Sequence, residues 1–164
     1  MHAKGRFNMV KSKKEYYPQE LDLRLSGRTL YRDKSLYLLH AGSYIEFEFE
    51  GCFFEVELES EGGNEDFQAW IGIYVNNMFN AYRRINLKSG KGRYLLWESD
   101  ERNKVQIRIV KLSENQYAYT AFHKFIMDAE AQIHRTEGKK KRIEFIGDSI
   151  TCGFGNEGKA GDVF

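Results

Sequence analysis

The sequence predicts a mainly β protein, an antiparallel jelly-roll β-sandwich, followed close to the end of the sequence by one more strand that runs into a sharp turn. Three observations carry this. Apolar and polar residues alternate with period two from residue 35 onward, the pattern of strands with one buried face. Twelve Phe and ten Tyr against a single Pro suit a sandwich filled by aromatic side chains. The apolar run Ile143-Glu144-Phe145-Ile146 leads directly into Gly147-Asp148-Ser149, which places a hydroxyl at the end of a strand.

In chain order, Ile45, Phe47 and Phe49 point one way, and Tyr44, Glu46, Glu48 and Glu50 the other. Gly51 is expected to turn the chain into Phe54, Val56 and Leu58, alternating with Glu55, Glu57 and Glu59, so that the two runs form a hairpin. Gly62-Gly63-Asn64-Glu65-Asp66 predicts a turn and Phe67 to Val75 a nearly continuous apolar strand. Asn76-Asn77 is a pair that accepts positive φ in a tight hairpin. Further strands are expected over Ala81 to Leu87, Arg93 to Trp97, Val105 to Leu112 and Tyr119 to Met127. In the last of these Ala and Met would tolerate a helix, but Thr120, Phe122, Phe125 and Ile126 favour a strand. Short strands at this spacing suggest a sandwich or jelly roll. Residues 136–142 are polar, contain Gly138 and have no apolar face, and read as a linker between a sandwich at 1–135 and a second domain beginning at 143.

Twenty-five basic and 24 acidic side chains leave a net charge of +1, so nothing draws the chain globally towards nucleic acid or a membrane surface. No apolar run reaches the ~18 residues of a membrane span or forms a leader, which predicts a soluble, cytoplasmic chain as written. Cys52 and Cys152 lie far apart with no CxxC partner, so neither a zinc site nor a disulfide framework is expected.

Ser149 is the candidate nucleophile. Gly147 lets the chain turn sharply, and if a helix starts here the amides beyond Ser149 point at the space beside its hydroxyl, where they can stabilise an oxyanion. The competing reading is an N-cap, the ordinary role of a Ser between a strand and a helix. A hydroxyl nucleophile also needs a base. None of His2, His40, His123 and His134 sits in a Ser-x-x-His or Asp-x-x-His context; His134 is nearest in sequence. Gly153-Phe154-Gly155-Asn156-Glu157-Gly158 spells G-x-G-x-x-G but does not follow its strand directly, which argues against nucleotide binding. Trp70, Tyr74, Tyr82, Tyr94 and Trp97 are candidates for stacking on sugar rings, with core packing as the alternative.

The string Ile143-Glu144-Phe145-Ile146-Gly147-Asp148-Ser149-Ile150-Thr151-Cys152-Gly153, continued by Phe-Gly-Asn-Glu-Gly, resembles the first conserved block of the SGNH (GDSL) hydrolases. It is most similar to the version in carbohydrate esterase family 2, whose members remove acetyl groups from xylan, mannan and related sugars. In that family a β-sandwich of jelly-roll type precedes an α/β hydrolase domain. The resemblance implies that residues 143–164 are the first strand and nucleophile elbow of such a domain. Ser149 is then the nucleophile and its own amide one oxyanion donor, with Gly147 and Asp148 as motif support and Asp148 bracing the elbow. It further implies an acetylated saccharide as substrate and no metal or organic cofactor. The Gly, Asn and His of the later blocks do not occur here, so the remainder of the hydrolase domain is required for activity. Relatives are often secreted, which a removed leader would accommodate. The alternative is a non-catalytic sugar-binding or scaffolding sandwich in which Gly-Asp-Ser is incidental.

Overall fold

The computed structural model describes residues 12–61, 68–114, 118–138, 140–141 and 146–148. Ten strands account for most of them: β1 (Lys13–Tyr16), β2 (Arg24–Ser26), β3 (Thr29–Arg32), β4 (Ser35–Leu38), β5 (Tyr44–Ser60), β6 (Trp70–Val75), β7 (Arg83–Asn86), β8 (Gly90–Lys111), β9 (Thr120–Asp128) and β10 (Gln132–His134). A single 3-10 turn, Pro18–Glu20, is the only helical element among the described residues. The fold is mainly β and every strand pair in it is antiparallel.

Two long strands organise the molecule. The first half of β5 pairs with the second half of β8, from Tyr44↔Val110 to Gly51↔Asn103. The second half of β5 pairs with the first half of β8, from Phe53↔Glu98 to Ser60↔Gly90. Around the first half lie β2 and β10 on the free edge of β5, and β6 then β7 beyond β8. Around the second half lies β9, which carries β1 and β4 on its far side. One hydrogen-bonded sheet is thus folded over on itself, and its apolar faces meet. Phe47, from the first half of β5, lies 6.3 Å between ring centroids from Phe125 of β9 and 5.0 Å from Phe54.

The expected core is the observed core: Ile45, Phe47, Phe49, Phe54, Val56, Ile71, Ile107 and Ile109 are all completely buried. The expected hairpin at Gly51 is not present. Tyr44 to Ser60 is one continuous strand, and the buried set moves from odd to even positions across an irregularity at Gly51–Phe53. A bulge adds a residue and reverses the inside-outside phase without reversing the chain, and in a one-dimensional pattern it looks like a turn. Likewise Arg93–Trp97 and the run from Val105, which ends at Lys111 rather than Leu112, belong to the single strand β8 rather than to two. Asn76 and Asn77 adopt the expected positive φ, and the Met78 amide closes their turn onto the Val75 carbonyl at 3.1 Å, although β7 begins only at Arg83. The Gly62–Asp66 turn and Phe67 lie outside the described residues.

Candidate functional site

Of the sequence-predicted site, Gly147 and Asp148 are described and solvent-exposed, while Ser149 lies outside the described residues. Ile146, the last residue of the expected strand, is 91% exposed, and Ile143, Glu144 and Phe145 also lie outside the described residues. The structure describes the stretch that precedes this segment in sequence. β9 ends at Asp128, Ala131 closes a turn onto the Asp128 carbonyl, and β10 runs back antiparallel to β5 with Gln132↔Glu50, Ile133↔Phe49 and His134↔Glu48. Immediately afterwards the Thr136 hydroxyl donates to Glu46 Oε1 at 2.8 Å, and the Glu137 carbonyl accepts from Arg24 Nη1 at 3.0 Å.

The histidines occupy separate places. His40 lies next to a turn, as expected, and His134 faces Gln132 Oε1 at 3.4 Å. His2 is outside the described residues. His123 forms an array that the sequence did not disclose. Its Nε2 lies 2.8 Å from Glu59 Oε2 and its Nδ1 2.7 Å from Ser35 Oγ, and the Tyr119 hydroxyl donates to Glu59 Oε1 at 2.5 Å. Where Nε2–H donates to the carboxylate, Nδ1 accepts a hydrogen bond from the Ser35 hydroxyl. Serine hydrolases use the opposite nitrogens, and Ser35 is buried in β4, so the array cross-links β4, β5 and β9 rather than arming a nucleophile. The Tyr119 hydrogen bond holds the Glu59 carboxyl below its usual range against the opposing effect of burial, with His123 and Lys91 adding to the lowering. The same bond, reinforced by burial, pushes the Tyr119 phenol well above its ordinary value. These partners come from positions 60 to 88 residues apart, and no local spacing announces them.

The aromatic candidates divide. Trp70 and Tyr82 are 43% and 48% exposed, whereas Tyr74, Tyr94 and Trp97 are half-buried. Tyr94 is engaged within the fold, its hydroxyl accepting from the Lys88 amide at 3.0 Å. Tyr82 and Trp97 meet at 5.6 Å with a tilt of 53°, and together with Arg83, Leu95, Leu96 and Glu98 they line an open cleft of about 290 Å³. An aromatic wall beside a carboxylate and a guanidinium suits a polyhydroxylated ring. Among the described residues no group of three or more His, Cys, Asp or Glu side chains is placed to hold a metal ion.

The described residues thus define a mainly β domain, one antiparallel sheet folded over on itself. Comparison with known proteins gives that class a family: residues 25–136 match the family model described as carbohydrate esterase 2 N-terminal, and the chain belongs to that family. It is 41% identical over 69 residues, 42% of its own length, to an acetylxylan esterase / glucomannan deacetylase of Cellvibrio japonicus. It is 30% identical over 125 residues, 72% of its length, to the cellulase/esterase CelE of Acetivibrio thermocellus. The matched regions are 19% and 14% of those two relatives. Among solved structures, a family two carbohydrate esterase from Cellvibrio japonicus superposes with a TM-score of 0.78 at 20% identity, over 93% of this chain and 44% of that one. At that identity the likeness is one of fold.

Proposed function

We propose that this chain is the N-terminal part of a carbohydrate O-acetyl esterase that deacetylates xylan- or mannan-type saccharides through Ser149. The observation that carries the reading is one of order along the chain: the family match ends at residue 136, and Gly147-Asp148-Ser149 follows within the same sequence. In this reading residues 1–135 form the sandwich, of jelly-roll type, residues 136–142 link it onward, and 143–164 open an SGNH hydrolase domain. Ser149 Oγ attacks the acetyl carbonyl and passes its proton to a base supplied by a later part of that domain. Its own amide is one of the donors to the tetrahedral oxyanion. The sugar hydroxyl departs with a proton from that base, and water then attacks the acetyl-serine to release acetate. Gly147 allows the turn and Asp148 braces it. No step draws on a metal or an organic cofactor.

Acetate release from acetylated xylan and acetylated glucomannan by the complete protein tests the proposal. Ser149→Ala is expected to lower kcat by roughly 10³-fold or more. A variant that keeps turnover within a few-fold of wild type would remove Ser149 from the mechanism.

A second reading, a non-catalytic sugar-binding or scaffolding sandwich, is favoured by the Tyr82–Trp97 cleft and the exposed Trp70. It predicts that xylo-oligosaccharides bind this 164-residue chain and that Tyr82→Ala abolishes the binding. Unchanged calorimetric titrations would dismiss it.

A further inference from the structure

Glu46 stands on the outward row of β5 with Tyr44, Glu48 and Glu50, yet it is only 1% exposed. Its enclosure is made by charge. Oε1 accepts from Arg24 Nη1 at 2.8 Å and from the Thr136 hydroxyl at 2.8 Å, and Oε2 accepts from Arg108 Nε at 2.5 Å. Arg108 is itself fixed, lying 5.2 Å over the Tyr44 ring and donating to Asn77 Oδ1 at 3.2 Å. Arg24 spends the same Nη1 on the Glu137 carbonyl. Strands β2, β5 and β8 thus converge on two residues that follow β10. Burial works against the Glu46 carboxylate, but Thr136, Arg108 and Arg24 outweigh it and hold the group below its ordinary range.

A surface carboxylate needs none of this. Burying one is costly unless it is fully hydrogen-bonded, and a pair of arginines around it adds a matching requirement. Here one of the three hydrogen bonds to the carboxylate comes from the departing chain, so the ion cluster keeps all three only while Thr136 lies against the sheet.

We propose that Glu46 and Arg24 are positioning residues that grip Thr136 and Glu137, fixing the direction in which the chain leaves the sandwich and so the orientation of the domain that follows. The grip stands on the contacts above; what it orients, the Ser149 segment, rests on the functional reading already given. The stretch that follows β10 is then a clamped arm as far as Glu137 rather than a free tether.

The test uses the complete protein with spin labels at Asp100→Cys on the sandwich and at one exposed position of the following domain. Wild type is expected to give a narrow distance distribution by double electron–electron resonance. Thr136→Val, which removes one hydroxyl and leaves both arginines on Glu46, should broaden it and raise amide exchange of residues 135–138 roughly tenfold, with the melting temperature held. Arg24→Met should do more, and Arg24→Lys should recover part of the narrow distribution. If Glu46→Gln fails to fold, these milder variants still decide. A distribution equally narrow in wild type and in Thr136→Val would overturn the proposal, because contact between the domains would then set the orientation. A broad one in wild type would overturn it equally. Esterase activity is assayed on the same samples: an inactive wild type with the predicted distances removes the Ser149 reading and leaves the grip.

Discussion

Lys111 ends β8 with its side chain on the core face, opposite Ile71, and is completely buried. Its Nζ donates to the Ser113 carbonyl at 2.5 Å, and burial lowers its pKa to about 8, with Glu114 opposing weakly. Below pH ~8 the ammonium is charged in both folded and unfolded chains, and folding carries the whole desolvation cost. Between about 8 and the unfolded value near 10.5 the unfolded chain binds the extra proton, so stability rises with pH across that window. Lys111→Met is therefore expected to stabilise the protein by roughly 1–3 kcal/mol at pH 7 in urea unfolding, with the gain shrinking above pH ~8 and gone only above about pH 10.5. Glu46 behaves in the opposite sense. Its folded pKa is depressed, so its contribution is present above about 4.5 and is lost as the pH falls through the folded value. Glu46→Gln should flatten that part of the acid limb in a pH series of unfolding midpoints. Neither residue was legible as special in the sequence. Glu46 looked like one of four outward Glu and Tyr side chains, and only the positions of Arg24, Arg108 and Thr136, from 22 to 90 residues away, bury it.

At the scale of elements, period-two alternation located the longer strands from Tyr44 to Asp128 and named the core, because each buried face forces alternate side chains inward whatever the strand's partner; the short β1, β2, β3 and β10 were not read from it. It did not tell a bulge from a turn. The Gly51–Phe53 irregularity is held by Asp128, whose Oδ1 accepts from the Cys52 amide at 2.8 Å and the Phe53 amide at 3.2 Å. Gly51 lets the chain pass closely, since a Cβ there would come within 2.5 Å of Phe49 Cζ and 2.9 Å of that carboxylate oxygen. A two-residue spacing cannot encode an acceptor 76 positions further on. Asp128→Ala strands two amide donors and is expected to cost about 2–4 kcal/mol by chemical denaturation. Asp128→Asn keeps an acceptor and should cost less. Equal losses in the two variants would mean that the carboxylate charge, not hydrogen bonding at the bulge, supports β5.

Across the whole molecule, the strand pattern declared the mainly β fold class through physics, whereas the chemistry proposed for the segment from Ile143 onward rests on motif alone. The His123 array shows why the two kinds of legibility differ. A nucleophile elbow is a local string, whereas Ser35, Glu59 and His123 come together only when β4, β5 and β9 have paired. The matched regions are a small share of the curated relatives, and the proposed mechanism takes its base and further oxyanion donors from outside these 164 residues. The 164-residue chain alone is accordingly expected to show no saturable hydrolysis of 4-nitrophenyl acetate. Saturable turnover that disappears with Ser149→Ala would mean that this chain holds its own base.

The central claim, that the complete protein is an acetyl esterase with Ser149 as its nucleophile, is tested most directly by covalent trapping. The active protein is inactivated with a serine-reactive phosphonate and its peptides are mapped by mass spectrometry. The account predicts a single stoichiometric adduct on the peptide containing Gly147-Asp148-Ser149, formed in step with loss of acetate release and absent in Ser149→Ala. Complete inactivation with the adduct on any other residue, or with this peptide unmodified, would contradict it.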